Sequence, residues 1–140
     1  MPELQASFRV AAELSNLASI RHFIEATART YQVDDDAIGD VLQAVDESAT
    51  NIIEHGYRGR AGEIEVEMAR EDNGLIVRLR DAAPPFDPTQ VPSPDLSLPL
   101  EARPLGGMGV FLTRRLTDGV TYRLTARCEN ELTLIKHITS

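Results

Sequence analysis

Between residues 35 and 68 the spacing of apolar side chains changes period once, and that change limits the fold more than any other feature of the chain. Ile38, Val41, Leu42, Val45, Ile52 and Ile53 recur at about 100° per residue, which makes one stripe along a helix predicted from about Asp35 to His55. Gly56 follows, and glycine takes the left-handed position beyond a helix end freely, so the helix is expected to stop there. Ile64, Val66 and Met68 then alternate with Glu63, Glu65 and Glu67, the pattern of a half-buried strand. A striped helix and a one-faced strand both need a second layer to cover their apolar side.

The rest of the chain repeats these two patterns. Phe8 and Val10 share a face of a first strand over residues 4–11. Ser15 or Asn16 is placed to cap a helix whose stripe is Leu17, Ile20, Ile24, Ala28 and Tyr31. Asp34, Asp35 and Asp36 suit the positive N-terminal end of the second helix. After the 63–68 strand, Asp72-Asn73-Gly74 signals a turn, and Leu75, Val77 and Leu79 alternate again to complete a hairpin.

From Asp81 to Arg103 the pattern breaks, because Pro84, Pro85, Pro88, Pro92, Pro94 and Pro99 have no N–H to give to a ladder. So long a connection inside a small domain reads as a lid or binding loop, over about residues 82–105. Gly106-Gly107-Met108-Gly109 opens a third helix that ends near Asp118-Gly119. Two strands close the chain: Val120, Tyr122, Leu124 and Ala126 alternate in one, Leu132, Leu134, Lys136 and Ile138 in the other. Glu129-Asn130 is read as their turn, and Cys128 as a buried structural thiol in a strand. The expected fold is α+β, a two-layer sandwich with a mixed or antiparallel sheet and helices on one face, in a single domain over 1–140.

The formal net charge of −8 excludes two classes of partner. Non-specific nucleic-acid binding and docking on anionic membranes both rest on an excess of Lys and Arg, and Lys136 is the only lysine. The single cysteine excludes an internal disulfide. Met1-Pro2-Glu3 carries no basic start or apolar run, so no signal peptide is expected. No stretch nears the ~20 apolar residues of a membrane span, and a cytoplasmic location is expected.

Three segments carry chemistry. Glu47, Asn51 and His55 stand four residues apart and line the side of the second helix opposite its apolar stripe. A glutamate there suits acceptance of a proton from a hydroxyl, and an asparagine oxygen suits magnesium, which prefers oxygen ligands. Ala44 and Ser48 border this face with side chains small enough for a bulky ligand to lie against the helix. Asp40 and Glu54 read as an ordinary solvated face, and His55 as a helix-end residue. Asp81, at the end of a strand, is placed to accept from an exocyclic amine, and Phe86 with the prolines offers a wall for a flat ring. Asp87 reads as a turn residue. Gly106, Gly107 and Gly109 let backbone approach a phosphate, and the following helix start offers free N–H groups.

Together these segments resemble the GHKL ATPase superfamily, and more closely the anti-sigma-factor serine/threonine kinases. Ala44 to Tyr57 is similar to the family's N-box, Asp81 to Pro88 to its first glycine box, and Gly106 to Gly109 to its second. The resemblance implies a histidine-kinase-like ATPase fold that binds ATP with Mg2+. It implies Glu47 as catalytic base and Asn51 as nucleotide contact and magnesium ligand. Asp81, Ala83 and Phe86 would contact the base. Gly106, Gly107, Met108, Gly109 and Val110 would surround the phosphates. The implied partners are a STAS-type anti-anti-sigma protein, phosphorylated on serine, and a sigma factor, with a possible homodimer. Arg21 falls in a region that touches partners in such proteins. Ala83 stands where the family's Asp-x-Gly box has glycine, a change that fits if the backbone there has negative φ. A non-catalytic module that binds nucleotide or sequesters a partner remains the alternative.

Overall fold

A computed structural model describes residues 4–85, 87 and 113–138. Five strands form one sheet: β1 (Leu4–Ala11), β2 (Glu63–Glu71), β3 (Gly74–Asp81), β4 (Gly119–Leu124) and β5 (Asn130–His137). Their order is β1-β2-β3-β5-β4, and every neighbouring pair is antiparallel. The helices α1 (Leu17–Thr30) and α2 (Asp35–Asn51) cover one face. The expected α+β sandwich is therefore present, with the sheet antiparallel throughout its described pairs.

The alternation in the sequence decides which face is covered. Ile64, Val66 and Met68 of β2, Leu75, Val77 and Leu79 of β3, and Leu132 and Leu134 of β5 are buried against Ile20 and Ile24 of α1 and Val41 and Val45 of α2. Each such side chain contributes about 1.5–3 kcal/mol when fully buried. The residues between them point outward. Arg123, Glu131, Arg80, Glu65 and Arg9 lie in one register row across all five strands, each joined to the next by an ion pair of 2.6–3.1 Å.

Asp34 caps α2, its Oδ2 accepting from the Ala37 N–H at 3.1 Å. The helix does not stop at Gly56. From Ile52 to Tyr57 it continues as a wider π-helix, and the chain turns at Arg58 (φ 52°) and Gly59 (φ 81°). The buried Tyr57 side chain explains the extra turn, since its hydroxyl donates to the Glu63 carbonyl at 2.8 Å and accepts from the Ala82 N–H at 2.8 Å.

Four other expectations need correction. Asn16 lies at the start of α1 but does not cap it; its Nδ2 donates to the Ala11 carbonyl. The strand β4 ends at Leu124, so Ala126 belongs to the turn and Asn130 to β5. Cys128 is exposed at the tip of that turn with φ 62°, because Thr125 and Glu129 close the hairpin before it reaches a strand. Asp40 is not merely solvated, since its Oδ2 accepts from Lys136 Nζ at 2.9 Å. The expected lid, apart from its first residues, and the glycine-led start of the third helix lie outside the described residues; 113–116 are helical. No helix among the described residues is long and apolar enough to cross a membrane.

Candidate functional site

At the end of the sheet where β3 runs out and β5 begins, α1 and α2 do not fill the covered face. An open cleft of about 600 Å3, counting the solvent at its mouth, lies between α2 and the sheet. Its apolar walls are Ile52, Ala83, Val120 and Leu132, and its polar groups are Ser48, Asn51, Asp81, Thr113, Tyr122 and Asn130. That mixture matches small-molecule sites, where apolar surface gives affinity and a few polar groups set orientation.

Asn51 reaches the cleft from the last residue of α2, just before the π-helix begins. Ser48, one turn earlier, is buried; its hydroxyl donates to the Ala44 carbonyl at 2.9 Å and lies 3.4 Å from the Thr113 hydroxyl. Glu47 is half-buried, one turn before Asn51 on the same side of α2, and makes no hydrogen bond or ion pair among the described residues. It does not line the cleft itself. His55 is half-buried further along, and its carbonyl accepts from Arg58 Nε.

Asp81 is buried on the inner face at the end of β3, opposite Asn130 of β5 in the register. Its Oδ1 accepts from Asn130 Nδ2 at 3.0 Å and from the Ala83 N–H at 3.0 Å. Oδ2 carries no hydrogen bond among the described residues, and it is not sealed away from solvent. Burial pushes the carboxyl pKa up, while the hydrogen bonds from Asn130 and Ala83 act the other way. A carboxylate held by one oxygen, with the other turned to an apolar cleft, is a fixed acceptor for an N–H group.

Ala83 is buried without positive φ, so its methyl brings no backbone strain. The room for it comes from Gly56, where an added Cβ would lie 3.3 Å from the Ala83 Cβ. The structure thus brings Asn51, Asp81 and Ala83 together and places Glu47 one helical turn away. Phe86, Gly106, Gly107, Met108, Gly109 and Val110 lie outside the described residues.

Residues 10–136 match the histidine kinase-like ATPase domain. The chain belongs to that family. Among curated relatives of this ATPase domain, the serine-protein kinases RsbW of Bacillus cereus and Bacillus thuringiensis are each 29% identical over 116 residues, which is 80% of this chain and 72% of theirs. A crystal structure of the RsbU and RsbW domains of a Mycobacterium tuberculosis protein superimposes with a TM-score of 0.70 at 16% identity, a likeness of fold. The match covers 99% of this ATPase domain and 34% of that chain, so the domain spans about a third of the longer protein.

Sequence reasoning missed Asn130, Tyr122 and Tyr57. Asn130 passed for a turn residue, although the alternation Leu132, Leu134, Lys136 extends back to it in phase and puts it on the inner face. In the sequence Tyr122 is only a strand residue and Tyr57 only the end of the N-box run, because a hydroxyl's partner across the fold leaves no mark in local spacing.

Proposed function

We propose that this chain is an ATP-dependent serine/threonine protein kinase that acts as an anti-sigma regulatory factor and phosphorylates a serine of an anti-anti-sigma partner. The observation that carries the reading is that Asn51 and Asp81 face one cleft, with the Glu47 carboxylate, unpartnered among the described residues, one turn from Asn51. The similarity to serine-protein kinases RsbW supports the choice of substrate class.

Bound ATP supplies the phosphoryl group. Asp81 Oδ2 accepts a hydrogen bond from the exocyclic amine, and Ile52, Val120 and Leu132 pack on the ring. The Asn51 side-chain oxygen is the one protein ligand proposed for Mg2+. Among the described residues no three His, Cys, Asp or Glu side chains cluster as a metal site. This suits magnesium held largely by phosphate and water. Glu47 takes the proton from the serine hydroxyl as its oxygen attacks the γ-phosphoryl group and ADP leaves, and Gly106, Gly107 and Gly109 are the residues that the family resemblance would assign to the phosphates. Ala83 fits its position, so it gives no reason to prefer a module that only sequesters a partner.

The test is transfer of labelled phosphate to the cognate anti-anti-sigma protein. Glu47→Ala is expected to lower transfer by roughly 10²–10⁴-fold while ATP binding by calorimetry stays near the wild-type value. Asn51→Ala is expected to remove magnesium-dependent binding. Full transfer by the Glu47 variant would sink the assignment of the base.

A further inference from the structure

The Asp81 carboxylate is held by a second layer of groups. Tyr122 OH donates to Asn130 Oδ1 at 2.5 Å, and Asn130 Nδ2 donates to Asp81 Oδ1 and to the Ala83 carbonyl, each at 3.0 Å. Asn130 is 6% exposed and Asp81 6% exposed, so both are shielded from water that would otherwise compete. The register explains the arrangement. Asn130 is the cross-strand partner of Asp81, and Tyr122 pairs with Leu132, one inner-face position further along β5.

Such a relay has a direction. The tyrosine hydroxyl donates to the amide oxygen, which sets the orientation of the amide and aims its N–H groups at Asp81 and Ala83. Donation into an amide oxygen also strengthens what the amide nitrogen donates. A carboxylate turns freely about its Cβ–Cγ bond, and its two oxygens are equivalent until something distinguishes them. Here both hydrogen bonds fall on Oδ1, and Oδ2 is left for the cleft. The same amide occupies the Ala83 carbonyl, which withdraws a competing acceptor from the base.

We propose that Asn130, oriented by Tyr122, is the positioning residue that makes this cleft select a nucleobase with an exocyclic amine. The inference rests on the ATP-site reading given above. It assigns the selectivity to an asparagine–tyrosine brace as well as to the carboxylate. A purine with a carbonyl oxygen in place of the amine would set two acceptors against each other at Oδ2. If the brace were only a staple between β5 and the 81–84 segment, its loss would weaken every nucleotide alike.

The experiment is calorimetric titration with Mg-ATP and with the triphosphate of purine riboside, which lacks the amine, on wild type, Asn130→Ser and Tyr122→Phe. Wild type is expected to prefer ATP. Asn130→Ser is expected to lose about tenfold in ATP affinity and no more than about twofold for the analogue, so that the preference shrinks. Tyr122→Phe keeps the ring packing and is expected to shift the same ratio by about threefold; it decides the matter if Asn130→Ser does not fold. Equal losses for both ligands would overturn the proposal. Wild type that binds neither ligand would overturn the ATP reading itself, a result visible before any variant is compared.

Discussion

The methyl group of Ala83 occupies space that a side chain at position 56 would need. Two effects therefore compete in Gly56→Ala. Alanine is favoured over glycine in a helix by about 1 kcal/mol, while overpacking against a buried methyl costs about 1–3 kcal/mol. The single variant is expected to be neutral or destabilised, and the same change in an Ala83→Gly background to be stabilising. Denaturant unfolding of the four proteins checks this, and a coupling below about 0.5 kcal/mol would refute the contact. Asp81 offers a second test at this scale. Its folded-state pKa is raised above the ordinary 3.8 by burial, so the folded protein holds the proton more tightly than the unfolded chain. Stability from this group is present at low pH and is lost as pH rises through the raised value. Asp81→Asn removes that loss and keeps an oxygen for Asn130 and Ala83. The variant is expected to melt higher than wild type at pH 7, with the gap closing toward pH 3.8, and to bind ATP far more weakly. Thermal unfolding at both pH values, with calorimetry alongside, reads both effects.

The elements were legible wherever one face of each was apolar. α1, α2, β2 and β3 follow from spacing alone, because each buries a continuous stripe. Their ends were less so. The π-helix that follows α2 runs past Gly56 because Tyr57 is anchored at both Glu63 and Ala82, contacts beyond the helix. β4 stops before Ala126 because Thr125 turns the chain with Glu129. Of the site, Asn51, Asp81 and Ala83 were readable as motif residues, while Asn130 was hidden by a polar neighbourhood that looked like a turn. Lys136 shows the same limit. It sits in phase with inward leucines, and its Nζ joins Asp40 of α2 at 2.9 Å to the Leu116 carbonyl at 3.0 Å. The only lysine thus holds the helical residues 113–116, and with them Thr113 of the cleft, to α2. Lys136→Met is expected to cost about 1.5–3 kcal/mol and to speed amide exchange at 113–118 more than in β2. Uniform exchange across the chain would count against this role.

For the whole molecule, no helix among the described residues covers the second side of the sheet, and here it is paved with paired charges. Arg80 sits among Glu65, Glu67 and Glu131, the last only 5% exposed in its side chain. Burial by itself would raise the Glu131 pKa, but hydrogen bonds from Arg123 and Arg80 outweigh it and hold the carboxyl below its usual 4.5. The sign is opposite to that of Asp81: this stability is complete above pH 4.5 and is lost as pH falls through the lowered value. Arg80→Met takes one cation from three carboxylates, each of which keeps a second arginine, and is expected to cost about 1–2 kcal/mol at pH 7, and less in acid, by urea unfolding. A loss that does not diminish in acid would argue against the pairing. On that side Arg9, Arg78, Arg80 and Arg123 are matched by Glu63, Glu65, Glu67 and Glu131. These four cations and four carboxylates cancel, whereas α2 holds five carboxylates and no cation of its own, and borrows Arg21, Arg29 and Lys136 from other elements for three of them. Among the described residues the paired flank therefore exerts little field of its own, and a positively charged visitor that comes within about a Debye length is drawn toward the side that α2 covers.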